Sequence, residues 1–436
     1  MIARNPEFVR NLWLELTPLR LLTMPLLLAL IFVIDANTGS PHPASYTALT
    51  LFLLLTVAWG GKLAADSLIA EYAQGTWDSQ RLSGLSAGQM TAGKLFGGPA
   101  FAWYGGLICL IVHAVATRAP VAVTLRTLFS AVALAISVHA LCLLATLLAA
   151  RRLHKPAPPR GLALLILLIL VPWVFGLARN EAALSDEPVR WYGHAWATLD
   201  FTAFSLALLL GWSVTGLYRM LREELAFRDP PLAWLGFVLC GWIYIGGFIW
   251  PDGPKPLTLH LSIAALFTGA LSYVLLFIER KDWLRLRRLL AAVQQTPPDL
   301  ARAAALLPLW LCSAALTVAV ALLLILPTLL LPISAQPLRE LAVLLGWLLC
   351  FGRDLALVLA LHFGKDTRRA DGAALLYLAV LYGLLPVLFH AMDLPQLVPL
   401  LVPHTLSEAP WMLALVLPQP LAAGWWAWRR WQRLPR

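Results

Sequence analysis

Runs of Leu, Ala, Val and aromatic residues alternate along the chain with short polar stretches, and this coarse rhythm dictates the architecture before any motif is considered. A bilayer core of ~30 Å takes about 20 helical residues to cross, so each run reads as a span. Twelve are expected, over roughly 18–35, 46–64, 95–117, 126–150, 161–178, 199–218, 232–250, 259–278, 305–331, 340–362, 373–391 and 409–428. The fold class this predicts is an all-α polytopic integral membrane protein with short amphipathic helices between its spans. The first run follows a segment carrying Arg4, Arg10 and Arg20 but lacks a small-x-small cleavage site, so it reads as a span and not as a signal peptide.

Composition strengthens this picture. Of 436 residues, 60% are hydrophobic and 13% charged, against roughly 45–50% and ~25% in a soluble domain. A soluble enzyme, a secreted scaffold and a fibrous protein are excluded. The cysteines Cys109, Cys142, Cys240, Cys312 and Cys350 all lie in apolar runs without CxxC spacing, which argues against a disulfide framework or a zinc site and for small buried hydrophobes.

Charge orients the spans. With an even number of crossings both termini share one side, and positively charged loops are retained in the cytoplasm. An N-terminus placed inside puts 26 of the 33 Lys/Arg on the inner side and 6 outside, with Arg353 embedded; the acidic residues divide 13 inside and 9 outside, with Asp354 embedded. The net +10 thus resolves into +13 inside and −3 outside. Topology and anionic inner-leaflet lipid account for the basic balance, so no nucleic-acid partner is expected. The location predicted is a bacterial cytoplasmic (inner) membrane with both termini cytoplasmic. No inner segment approaches the ~100 residues of a catalytic domain, the longest being about 279–304.

A weak internal doubling divides the chain into 1–225 and 226–436, two degenerate six-span halves. Each half has a span out, a span back, a long inner segment, two spans with a short outer loop, a short basic inner loop, and two spans with a longer outer segment. The outer segments 179–198, with Trp191, Tyr192, His194 and Trp196, and 392–408, with His404, suit helices dipping into the outer interface or loops lying on the headgroups.

The inner segments carry the polar chemistry. Asn5-Pro6-Glu7 opens an amphipathic helix over about 5–17, with Asn5 as cap and Pro6 at the first helical position. Glu71 to Leu95 is polar and compact: Thr76, after Gly75, can cap a short helix from Trp77 to Leu82 that carries Asp78 and Arg81, Gly84 can end it, and Ser86, after Leu85, can cap the next helix. A short helix held between two spans is a surface for docking a soluble partner. In the second half Glu279, Trp283, Arg285 and Arg288 lie on a basic amphipathic stretch that suits either a second docking element or a helix resting on anionic lipid.

These residues resemble the membrane-spanning permease subunits of type-2 ABC exporters. The match runs through Asn5-Pro6, through Glu71-x-x-x-Gly75-Thr76-Trp77, through Leu85-Ser86 and through Gly93-Lys94-Leu95; it covers residues 5–98, and the remainder follows by topology alone. The resemblance implies a half-transporter paired with a separate cytoplasmic ABC ATPase subunit, with 71–90 as the coupling segment. Residues Glu71, Gly75, Thr76, Trp77, Asp78, Arg81, Leu85 and Ser86 would dock that partner. ATP and Mg would belong to it and not to this chain, which is expected to hold no cofactor and to be no enzyme itself. The length departs from a six-span subunit and suggests two fused permease halves.

Gly88-x-x-x-x-Gly93-Lys94 also fits the first positions of a phosphate-binding loop, but Leu95 stands where Mg²⁺ needs Ser or Thr and a span follows. Lys94 is expected instead to snorkel at the inner interface. Arg353-Asp354 lie within the tenth span, where an ionised pair is costly and faces protein or a water-filled cavity. They suit a structural tie or an intramembrane polar site, and, being adjacent, point about 100° apart and call for different partners. Lys62 and Asp66, one turn apart, should pair. Two alternative functions remain open in the sequence: an ion- or proton-driven secondary transporter, and an embedded enzyme using His194, Glu181, Asp186 and Glu187 on lipid-linked substrates.

Overall fold

The computed structural model describes residues 5–37, 44–153, 188–249, 256–330, 337–364 and 369–434. These residues are overwhelmingly helical and form two compact units, Met1–Arg228 and Asp229–Arg436. Among the described residues eight helices are long and apolar enough to cross a membrane, and a ninth crossing arises if the pair Ala87–Gly97 and Ala100–Ala116, bent by 61°, is one broken span. The chain is therefore a helical membrane protein.

In the first unit α1 (Pro6–Glu15) leads into α2 (Pro18–Asn37) and then α3, Ala44–Ala73. Short α4 (Thr76–Leu82) precedes α5 (Ala87–Gly97) and α6 (Ala100–Ala116). The long α7 (Val121–Leu153) and α8 (Thr198–Glu224) complete it. The second unit runs through α9 (Leu232–Gly246), α10 (Pro256–Ile278), α11 (Trp283–Gln294), α12 (Leu300–Leu306) and α13 (Leu309–Leu330). After these come α14 (Pro337–His362), α15 (Ala370–Ala391), three short 3₁₀ turns between Pro395 and Met412, α16 (Leu413–Val416) and α17 (Pro418–Gln432). The most extensive packing joins α3 with α6 and α7 with α8 in the first unit, and α10 with α13 and α14 with α17 in the second.

Several expectations change. The expected span 161–178 and the acidic residues Glu181, Asp186 and Glu187 lie outside the described residues. The run 232–250 yields a helix of only 15 residues. The run 409–428 is interrupted, because Pro410, Pro418 and Pro420 remove backbone donors and divide it into a 3₁₀ turn and two helices. The outer segments also differ from dipping helices. Residues 189–196 form a β-hairpin, β1 (Val189–Trp191) on β2 (His194–Trp196). Its two-residue turn has both Tyr192 and Gly193 at positive φ (47° and 73°), the conformation that matches strand twist. Its tryptophans pack on Phe201 and Phe204 of α8. In 395–407 the frequent prolines limit the chain to 3₁₀ turns, and Pro403–Ser407 packs along α14.

The first unit is built around α3, α6 and α7. Leu49, Phe52, Leu53, Val57, Cys109, Leu134 and Cys142 form one apolar core. Leu68, Trp77, Met90, Leu95, Leu147 and Leu217 form a second at the end near α4. Midway, α3 widens into a π segment over Leu53–Trp59. Such a bulge loosens the regular ladder, and the Thr56 carbonyl accepts a bond from His139 Nε2 on α7 at 2.7 Å. The α7–α8 pair is clamped at both ends, by Arg126–Asp200 at 2.8 Å and by Arg151 with Glu223 and Glu224. Lys62 and Asp66 pair at 2.6 Å on the surface of α3, as their spacing requires.

Close approach of α3 and α6 depends on Gly106, where an added Cβ would overlap Thr56 Oγ1 and press on the Phe52 ring. Gly106→Val should cost about 1–3 kcal/mol by overpacking, read as a lowered thermal midpoint in detergent. Gly211→Ala on α8, where a Cβ meets nothing within 4 Å, should leave the midpoint in place.

Candidate functional site

The elements at the α4 end of the first unit converge on one side chain, Lys94. It is 1% exposed, so it does not snorkel. The reason is local geometry: Gly93–Gly97 is a π turn, and the chain then bends by 61° into α6, which turns Lys94 into the protein. An ammonium has three N–H donors, and three side chains take them. Glu7 Oε1 lies at 2.8 Å, Gln80 Oε1 at 2.9 Å, and the Glu71 carboxylate is in direct contact. Arg10 completes the cluster, its Nη2 3.1 Å from Glu7 and 3.0 Å from Glu71. Two cations thus balance two carboxylates, which is what allows a buried charge to persist.

This cluster turns α1 over. Asn5 caps the helix through the Glu7 amide and donates from Nδ2 to the Gln89 carbonyl at 2.6 Å. Asn5, Glu7 and Asn11 are buried, whereas Trp13 and Leu14 are 81% and 63% exposed. The helix therefore seats its polar edge on the protein and leaves apolar side chains outward. Glycines make room for it: a Cβ on Gly93 would overlap Glu7, and one on Gly97 would stand 2.8 Å from the Asn11 Cβ. Gly93 and Lys94 are thus helix-packing residues, not parts of a phosphate loop.

The segment from Glu71 to Ser86 is held on this base. Gly75, at φ +69°, reverses the chain after α3, and the Thr76 hydroxyl donates to the Glu71 carbonyl at 3.3 Å. Trp77 is buried, stacked 5.1 Å from Tyr72, with Lys94 Nζ 5.7 Å from its ring centroid. Its role is therefore anchorage and not surface contact. Arg81 bonds Asp78 at 3.3 Å and donates from Nε to the Glu224 carbonyl at 2.8 Å, fastening α4 to the end of α8. Ser86 and Gln89 form the reciprocal capping box at the start of α5, beside half-buried Leu85. What remains outward is Asp78, Ser79 and the tip of α4, where Leu82 is 87% exposed.

In the second unit Glu279 and Arg285 serve internal capping. Glu279 Oε2 accepts from the Trp310 amide at the start of α13 (2.9 Å), and Arg285 donates to the carbonyls of Leu306 and Leu307 at 2.8 and 3.1 Å while pairing with Glu279. Trp283 is half-buried beneath Arg287, whose guanidinium lies 5.1 Å from its ring centroid, and Arg288 points outward apart from these contacts.

Arg353 and Asp354 sit elsewhere in that unit, 4% and 0% exposed. They bond each other at 2.9 Å in addition to separate partners, so the expectation that adjacency would keep them apart is corrected: the long Arg side chain curls back along its own helix. Asp354 Oδ2 also accepts from Tyr273 (2.7 Å) and Tyr382 (2.5 Å), and Arg353 donates to Gln419 at 2.7 Å. The pair ties α14 to α10, α15 and α17.

Searches against protein-family models, curated proteins and solved structures found no match. The sequence pattern points to Glu71 and Trp77 in this site but not to Glu7, Arg10, Gln80 or the inward turn of Lys94. The available signal was charge: a lysine inside an apolar run needs a carboxylate, and Glu7 and Glu71 are acids next to predicted span ends.

Lys94→Met should cost about 3–5 kcal/mol, because two buried carboxylates lose their central cation. Adding Glu71→Gln to that variant should restore part of the loss. Thermal unfolding followed by tryptophan fluorescence checks both, and a single variant as stable as the wild type would contradict the assignment.

Proposed function

We propose that the chain is the permease component of an ATP-driven, ABC-type exporter, coupled through α4 to a separate cytoplasmic ATPase subunit. One observation carries the reading. The separate sequence fragments that resemble type-2 ABC exporter permeases come together: Asn5-Pro6, Glu71 to Trp77 and Gly93-Lys94 meet around a single buried ion cluster, and Leu85-Ser86 opens the helix that carries Lys94 into it. Fragments matching by accident in loosely polar loops have no reason to share one site.

The arrangement suits transmission of force. A rigid docking element must be fixed to the spans and present an outward knob. Helix α4 is fixed through Trp77, Gln80 and Arg81 and presents Leu82. On this reading α1 lies at the inner face of the membrane with Trp13 and Leu14 toward lipid, in keeping with the preference of tryptophan for the interface. The division into two compact units suits a fused pair of permease halves. Both termini are then cytoplasmic.

The cluster Asp354–Tyr273–Tyr382–Arg353 is the one feature that favours an ion-driven transporter instead. Its carboxylate, however, already accepts three bonds, a pattern suited to a structural tie.

Affinity purification of the tagged chain from its native membranes should bring down a soluble ATPase, and Leu82→Asp should weaken that association by roughly 2 kcal/mol, about 30-fold, as for a hot-spot residue. Membrane insertion should be unaffected. Transport driven by a proton gradient without ATP, abolished by Asp354→Asn, would support the secondary transporter in its place.

A further inference from the structure

The second unit holds a cavity of about 1070 Å³ that the coupling reading does not use. Its size is at the upper end of small-molecule sites, roughly 300–1,000 Å³. It is lined by α10, α13 and α14, with Ala265, Gly269 and Tyr273 on the first, Thr317 and Leu324 on the second, and Trp347 on the third. We propose that this cavity binds a membrane phospholipid carrying a zwitterionic aminophosphate headgroup, with an acyl chain along its length.

Three observations identify that chemistry. First, the long walls offer mostly apolar surface, since several of their hydroxyl protons are spent internally. Ser262, Thr317 and Thr328 donate to the carbonyls four residues earlier in their own helices, and Tyr273 donates to Asp354. A water-soluble polar solute would find few partners there. Second, the charged side chains among the described lining residues are Arg339, Glu340 and Glu408, the first two at the start of α14. A guanidinium and carboxylates in one lining complement a phosphate joined to an ammonium better than a headgroup that carries phosphate alone. Third, the depth fits. From Arg339 to Phe351, both lining residues of α14, a helical rise of 1.5 Å per residue gives roughly 18 Å. That is close to one leaflet, about half of a ~30 Å hydrocarbon core.

The charged end of the cavity lies by the end of α9, the end of α13 and the starts of α10 and α14, with Ile249, Thr258, Thr328 and Arg339 among the lining residues. In the orientation proposed above this is the outer end, so the chain would enter from the outer leaflet. Only that assignment of leaflet rests on the exporter reading. Binding itself is a property of this unit, with or without an ATPase.

The test uses the full-length purified chain in nanodiscs, without ATPase or nucleotide, with a phosphatidylethanolamine bearing a diazirine at its acyl terminus. Photolabel should map to α10 and α14 near Gly269, Tyr273 and Phe351, and excess unlabelled phosphatidylethanolamine should displace it. Gly269→Phe should abolish that label by filling the cavity. Gly269→Ala, whose Cβ would sit 3.7 Å from Thr317 Cγ2, should retain it and reports on folding. A phosphatidylglycerol probe should label poorly. Label spread evenly over lipid-facing helices, undiminished labelling of Gly269→Phe, or equal labelling by phosphatidylglycerol would overturn the proposal. Copurification of an ATPase is a separate measurement, so either idea can fail without the other.

Discussion

The first unit is organised by the problem of burying one ammonium. Taking an ion of that size out of water costs several kcal/mol even after relaxation, and only charge-assisted bonds to every donor offset it. Lys94 meets that requirement with Glu7, Glu71 and Gln80, which come from α1, α3 and α4. Each of these elements must therefore hold its place. Short amphipathic α1 could otherwise float on the membrane, and α4, with seven residues, is far below the length at which an isolated helix is stable in water. The cluster supplies what propensity cannot.

The second unit meets a related problem with different groups. Glu279, like Glu71, stands near the end of a long helix that is followed by a short one. Its carboxylate receives the Trp310 amide in the first turn of α13 and the Arg285 guanidinium instead of a buried lysine. Arg285 in turn spends its remaining donors on the carbonyls that end α12. The result is a cap joining successive helices and not a cluster binding an additional amphipathic helix. No large apolar side chain of α11 reaches the 87% exposure of Leu82; its most exposed are Leu290 and Val293 at 49%. On the exporter reading the docking surface would lie in the first unit.

Much of this was legible in the sequence wherever local chemistry decides. Hydropathy located the long helices, Asn5-Pro6 and Ser86 marked helix starts, and Gly75 marked the reversal before α4. The errors share a cause, since each depended on which face of an element meets its neighbour. Lys94 was expected to snorkel because a lysine at a span end usually reaches water; the π turn and bend that redirect it are tertiary adjustments without a composition signature. The polar edge of α1 was not expected to face protein, because the amphipathic pattern is the same whichever side is buried. The hairpin at 189–196 was hidden by its tryptophans, which suit an interfacial helix as well as a strand, and only the positive φ at Tyr192 and Gly193 separates them.

A load applied to Leu82 has two routes into the spans. One passes through Gln80 to Lys94, and from there to α3 through Glu71, to α5 and the bent α6, and to α1 through Glu7. The other passes through Arg81 to Glu224, whose carboxylate is held by Arg151. That couples α4 to the α7–α8 pair, already clamped at its far end by Arg126 and Asp200. Because the second route joins a rigid pair and the first enters a π turn and a 61° bend, displacement would concentrate in the first. Regular helices transmit motion, while a π turn followed by a proline break is where a helix yields. On the exporter reading, the Lys94 cluster would therefore sit where a stiff docking element meets a compliant span, and its balanced charge would let it shift as a block without leaving an unpaired ion.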